Sequence, residues 1–164
     1  MVKLKLRDYI EQRSDSNQNL YLAQVDLRNG LSPLLTDLPI DQWLPQFSNC
    51  EKKLWFSFTN RVTPLHFDRE HNLFLQFRGR KHFTFFAPEQ RLLLYPTTLE
   101  RQTHFSQVDV IDPDLEKFPN FAKSRAQQVD LEAGDALILP MYWWHHVQSY
   151  GESLGVSVWW RAGN

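Results

Sequence analysis

Cysteine is almost missing from this chain. Cys50 is the sole one among 164 residues, which excludes an internal disulfide and makes a reduced intracellular compartment the natural setting. An excess of charge of either sign is missing too. Eighteen Lys and Arg stand against 19 Asp and Glu, a formal charge of −1, so there is no electrostatic footprint for nucleic acid. No run of about 18 apolar residues occurs, and the basic start Met1-Val2-Lys3-Leu4-Lys5-Leu6-Arg7 lacks a following apolar stretch of the signal-peptide kind. These absences predict a soluble, cytoplasmic protein without a membrane partner, and they give nucleic-acid binding no support without excluding it. Internal repeats, low-complexity tracts and any strand–helix alternation are also lacking, and the last of these argues against a parallel α/β fold.

Aromatic residues, by contrast, are plentiful at 14%, with six Trp and twelve Phe to fill a core. The length suits one domain, residues 1–164, with an N-terminal helix, strand and loop region over about 1–50 and a β-rich barrel core over about 51–164. Leu4 to Glu11 reads as a short amphipathic helix closed by the polar run Ser14 to Asn19, and Tyr21 to Leu27 alternates like a strand. Pro33, Pro39 and Pro45 punctuate a loop and short-helix region up to Cys50. Strand patterns then recur at Leu54–Phe58, Asn72–Phe77, Lys81–Phe86, Ala126–Leu131, Ala136–Leu139 and Gly155–Trp160. Arg78-Gly79-Arg80 suits a hairpin connection, and Ala136–Leu139 reads as buried. Many short strands separated by turns predict an all-β double-stranded β-helix, a jelly roll or cupin-like barrel, with ligands at its mouth.

Chemistry enters at Thr63-Pro64-Leu65-His66-Phe67-Asp68. Residues two apart on an extended segment share a face, so His66 and Asp68 project together while Phe67 turns away. Alone this pair is a weak signal. It gains weight from Trp143-Trp144-His145-His146 downstream, since two His and one carboxylate form the facial triad of non-haem Fe(II) oxygenases, which leaves three iron positions open. Only one of His145 and His146 can face the interior, and periodicity leaves the choice open. The other, like His71, His82 and His104, is expected to be structural or exposed. On the strand from Lys81, an ammonium shares a face with Phe83 and Phe85. Either the stem carries the charge out to water from the strand end, or the charge awaits a ligand carboxylate.

Taken together, these blocks resemble the JmjC or cupin-like Fe(II)/2-oxoglutarate oxygenases, and the likeness is nearest to the asparaginyl hydroxylase that inhibits hypoxia-inducible factor. It is carried by Tyr21–Gln24, Val62–Asp68, Asn72–Lys81, Ser106–Asp109, Phe118–Phe121 and Pro140–His146, in the same order. The resemblance implies that His66, Asp68 and His145 hold iron and that Lys81 holds the distal carboxylate of 2-oxoglutarate. It further implies that Thr63 and Tyr21 donate hydrogen bonds to that carboxylate and that Asn72 lines the site. Dioxygen and 2-oxoglutarate would be co-substrates, and a protein or peptide side chain the target, hydroxylated with release of succinate and carbon dioxide. The competing expectations are a non-catalytic metal-binding interaction module and a cupin acting on a small molecule. Three departures accompany the likeness. Trp159 stands where the relative has an asparagine, and His104-Phe105 stand where it has an Arg-Gln pair that grips its target, with Arg101-Gln102 able to substitute only after a local shift. The chain also ends at Asn164 without the helices that dimerise the relative.

Overall fold

The computed structural model describes residues 5–11, 20–29, 31–44, 50–100 and 102–161. Ser14–Asn19, Pro45 and Arg101 lie outside them. Among the described residues seven strands carry the fold: β1 (Leu22–Asp26), β2 (Glu51–Ser57), β3 (Arg61–Phe67), β4 (His71–Phe86), β5 (Gln127–Leu131), β6 (Ala136–Leu139) and β7 (Trp144–Trp160). Three short helices, α1 (Leu6–Glu11), α2 (Leu34–Asp37) and α3 (Ile40–Trp43), belong to the N-terminal third. Among the described residues no helix is long and apolar enough to cross a membrane.

All pairings are antiparallel, and β4 and β7 run beside each other for almost their whole length. The first half of β4 and the second half of β7 join β1, β2 and β6, so that one layer reads β1-β2-β7-β4-β6. The remaining halves join β3 and β5 into a second layer, β3-β7-β4-β5. Two long strands that bend from one sheet into the other make the jelly roll.

The bend corrects one expectation. Asn72–Phe77 and Lys81–Phe86 do not pair as a hairpin; both lie on β7, with Leu75 opposite Val156 and Phe83 opposite Val147. Arg78-Gly79-Arg80 is a bulge, marked by register shifts on either side and by Gly79 at φ 73°. An extra residue in left-handed backbone bends a strand without reversing it. A Cβ on Gly79 would also run into the Glu152 carbonyl of β7. Gly151, at φ 62°, turns β7 beside it. A second correction concerns β6, which is largely exposed, with Ile138 65% accessible, because it is an edge strand paired only with β4.

Strand alternation sorts the apolar side chains into three clusters. Leu54, Leu73, Val156 and Val158 point outward from the first layer, where Leu27, Ile40 and partly buried leucines of the N-terminal third cover them. Leu65, Phe86 and Trp144 point outward from the second layer under Leu94, Val108, Phe118 and Phe121 of the long excursion between β4 and β5. Phe74, Phe83, Phe85, Leu131, Leu139 and Val147 form the third cluster. Both outer faces are therefore sealed, and polar inward residues are left facing a cavity between the layers.

Candidate metal centre and its cavity

That cavity draws its walls from both layers: Trp55, Asn72, Phe74, Ser157 and Trp159 from one, and Thr63, His66, Lys81, Phe83, His145 and Val147 from the other. Thr63 and His66 are three apart and would face opposite ways on a regular strand. The pairing of β3 with β7 slips between them, where Pro64 contributes no N–H, so both side chains reach the same space. Asp68 follows just past the end of β3, and His145 lies directly across from His66.

His66, Asp68 and His145 each offer a ligand atom within 4.8 Å of the others. Nε2 of His66 is 4.0 Å from Oδ1 of Asp68, and Nε2 of His145 is 3.8 Å from Oδ2. The other ring nitrogens are spoken for: Nδ1 of His66 lies 2.8 Å from the Pro64 carbonyl and Nδ1 of His145 lies 3.1 Å from the Trp143 carbonyl. A carbonyl can only accept, so each Nδ1 carries the proton and each Nε2 presents a lone pair inward. Burial lowers the pKa of both rings, to about 3 for His66, with His145 adding to the effect, and to about 4 for His145. The rings are neutral near pH 7, as metal ligation requires. Burial raises the pKa of Asp68, against the pull of His66. Two neutral imidazoles and a carboxylate converging on one point fit a single divalent ion, reached by a modest inward closure of the three side chains.

His146 is not a surface residue. It is 2% exposed, packs on the outer side of the second layer opposite Thr84, and has no hydrogen-bond partner on either ring nitrogen. His82 pairs with Asp130 at 3.0 Å, and His71 accepts the Met141 N–H and stacks on Trp160. Lys81 is no strand-end residue either: it sits inside β4, 3% exposed. Its Nζ lies 4.8 Å from the ring centre of Phe74 and 5.6 Å from that of Trp55, and among the described residues no carboxylate pairs with it. Burial lowers its pKa to about 8, so near neutral pH it is mostly a charged group lacking a counter-ion. Asn72 is 5% exposed with an unpaired Oδ1. Tyr21 stands one step back. It shares a side-chain hydrogen bond with Thr63 and lines the adjoining outer pocket, while Thr63 lines both spaces.

That outer pocket also takes in Gln24, Val62, Pro64, His104 and Phe105 beside His66 and Asp68. Phe105 stacks on His66 with ring centres 5.5 Å apart, and His104 lies 4.4 Å from Phe105. The backbone bonds Phe67 N–H to His104 carbonyl and Ser106 N–H to Leu65 carbonyl fix this loop along β3. The pair singled out by its departure from the likeness is therefore a wall of the entrance. Trp55, Phe74, Gln24 and Ser157 were missed as lining residues. Trp55 and Phe74 look like ordinary core aromatics in sequence, and Gln24 faces the site through a register slip in β1 and a φ of 55° that no pattern announces.

A jelly roll with such a triad inside it defines a cupin-type protein. The sequence profile of the cupin-like domain matches residues 3–164, and the chain belongs to that family. It is 33% identical over 170 residues to Jumonji C domain-containing protein 5 of Drosophila melanogaster, covering 96% of this chain and 42% of that protein. It is 35% identical to Lysine-specific demethylase 8 of Danio rerio, over 85% of this chain and 36% of the relative, and 39% identical to HSPB1-associated protein 1 of Rattus norvegicus, over 66% and 23%. These names establish JmjC kinship, and the chain spans less than half the length of these relatives. Among solved structures, E. coli ycfD superposes with a TM-score of 0.55 at 18% identity over 91% of this chain and 37% of that one, which bears on the fold alone.

Proposed function

We propose that the chain is an Fe(II)- and 2-oxoglutarate-dependent dioxygenase that hydroxylates a side chain of a protein or peptide in a reduced, cytoplasmic compartment. The observation that carries this reading is Lys81: a buried, unpaired ammonium on the wall of the same cavity as His66, Asp68 and His145. Burying a charge without a partner is costly, so a site that retains one is built for an anion brought from outside. His66, Asp68 and His145 would hold the iron. Lys81 would take the distal carboxylate of 2-oxoglutarate, with Thr63, braced by Tyr21, as a hydroxyl donor and Asn72 lining the same wall. When bound, iron with 2-oxoglutarate and dioxygen supplies the oxidising chemistry and yields succinate and carbon dioxide. The chain's own part is orientation and shelter. Phe74, Phe83 and Val147 exclude water around the co-substrate, while His104 and Phe105 shape the entrance to which the target side chain comes. Hydroxylation of an N-methyl carbon, the chemistry of a demethylase, would use the same residues.

Trp159 projecting into the cavity favours a second reading, a metal-binding module without turnover. Incubating anaerobically reconstituted protein with 2-oxoglutarate, then oxygen, and quantifying succinate separates the two. The enzyme reading expects succinate with a mass gain of one oxygen on accepted peptides, or formaldehyde from methylated ones. Metal uptake without succinate would leave the non-catalytic module.

A further inference from the structure

Asp68 lies one residue beyond the last rung that pairs β3 with β7, Phe67 opposite Trp144, so the sheet does not fix its backbone. A turn does. The Tyr142 N–H donates to the Asp68 carbonyl at 2.8 Å, and the carbonyl of the next residue, Trp143, accepts from Nδ1 of His145 at 3.1 Å. Two residues of the triad are thus held by neighbouring backbone groups of one turn, Pro140–Trp143, which the Trp143 N–H closes onto the Pro140 carbonyl at 3.3 Å. Tyr142 is the third residue of that turn and has φ 66°, where glycine is the usual occupant and any side chain is strained. Such strain persists only where surrounding contacts over-determine it. The Tyr142 ring is 47% exposed, with the Phe67 ring centre 5.8 Å away, so its own packing contributes little. A further restraint comes from His71 at the start of β4, whose Nδ1 accepts the Met141 N–H at 3.3 Å. Trp160 at the end of β7 holds that imidazole by stacking, with ring centres 5.4 Å apart and planes 24° from parallel. Accepting on Nδ1 puts the His71 proton on Nε2, the opposite tautomer to that of His66 and His145.

We propose that His71 is a positioning residue for the metal centre: by accepting the Met141 N–H it keeps the Pro140–Trp143 turn closed, and the closed turn sets Asp68 against His145 for a single ion. The proposal rests on the metal-centre reading. His71 acts through the backbone of the turn and not by ligation. Its effect is reciprocal, because an ion that binds the closed arrangement better must itself hold the turn closed.

The test uses Co(II) alone, titrated into the apo-protein and read by its visible ligand-field absorption. His71→Ala removes the acceptor; it should weaken Co(II) binding by about tenfold, the low end for groups that support metal ligands from outside, and change the band shape. His71→Asn offers an amide oxygen close to where Nδ1 stands and should restore most of the affinity. Adding Tyr142→Gly to His71→Ala should also recover part of it, since glycine takes φ 66° without strain and the turn then closes unaided. His82→Ala, which removes a histidine paired with Asp130, should leave Co(II) binding unchanged. As a variant-free measure, Zn(II) added to the parent protein should increase the protection of the Met141 and Tyr142 amides against hydrogen exchange. Parental affinity and band shape in His71→Ala, a loss that neither His71→Asn nor Tyr142→Gly relieves, or amide protection indifferent to Zn(II) would each overturn the proposal while leaving the metal centre intact. Failure of the parent protein to bind Co(II) would overturn both.

Discussion

His145 and His146 are neighbours in sequence and almost equal in burial, at 5% and 2% exposed, yet they live on opposite sides of a sheet. His145 faces Asp68 and His66 across the cavity, with its Nδ1 turned to a backbone carbonyl. His146 faces outward beneath the excursion between β4 and β5, with no hydrogen-bond partner on its ring. Two buried lysines repeat the contrast. Lys52 is 4% exposed and pairs with Asp41 at 2.7 Å, while Lys81, 3% exposed, has aromatic faces around it. Neither residue type nor burial distinguishes a site here. The side of the strand does, together with whether the fold has already supplied the partner.

The sharpest way to break this comparison is to remove each histidine. His145→Ala should abolish stoichiometric Fe(II) binding, as should His66→Ala and Asp68→Ala, whereas His146→Ala should bind close to one equivalent and show only a stability loss. Anaerobic metal titration checks all four, and equal losses at 145 and 146 would dissolve the distinction between the two faces. Next in size is the lysine pair. Lys81→Met should raise the 2-oxoglutarate concentration needed for half-saturation by roughly 10–150-fold, the equivalent of about 1.5–3 kcal/mol for a charge-assisted bond, with iron binding retained. Lys52→Met should leave that concentration alone.

A smaller, graded effect comes from the pKa of Lys81, which burial lowers to about 8. Between pH 8 and the ordinary lysine value of 10.5, the folded side chain has lost a proton that the unfolded chain still holds. The ligand-free protein should therefore gain stability from this group as pH rises through that window, because the buried charge is relieved. Co-substrate binding should move the other way, weakening by about tenfold per pH unit above 8, since the carboxylate needs the ammonium. Lys81→Arg, which stays charged, should flatten that slope in a calorimetric titration.

The substrate prediction sharpens the entrance instead. With His104 and Phe105 forming that wall, a peptide offering an asparagine should gain no oxygen and should leave succinate at the uncoupled background. A site lacking the partners for a polar side chain gives no discrimination in its favour. Coupled hydroxylation of that peptide, seen by mass spectrometry, would mean that the aromatic wall does not set specificity.

Much of this was legible in the sequence because strands have a strict period. The spacing of His66 and Asp68, the faces of Lys81 and Phe83, and the recurrence of short strands all derive from it, and the all-β jelly roll with a short N-terminal helix is what the structure has. What the sequence hid depends on breaks in that period. A bulge in β3 brings Thr63 onto the face of His66, and a bulge at Gly79 makes one bent strand of two expected ones. A period of two also could not choose between His145 and His146, adjacent between Trp144 and Val147, nor foresee that the loser would be buried. Finally, Lys81 read as a strand-end residue only because the strand break was placed one bulge too early.

The most direct test of the co-substrate site is an anaerobic titration of 2-oxoglutarate into Fe(II)-loaded protein, followed by visible absorption. Bidentate chelation of the iron by the co-substrate should give a saturable charge-transfer band at one equivalent in the parent protein, no band in Asp68→Ala, and a band reached only at much higher concentration in Lys81→Met. A parent protein that loads iron but develops no band on addition of 2-oxoglutarate would contradict the claim that this cavity is a co-substrate site.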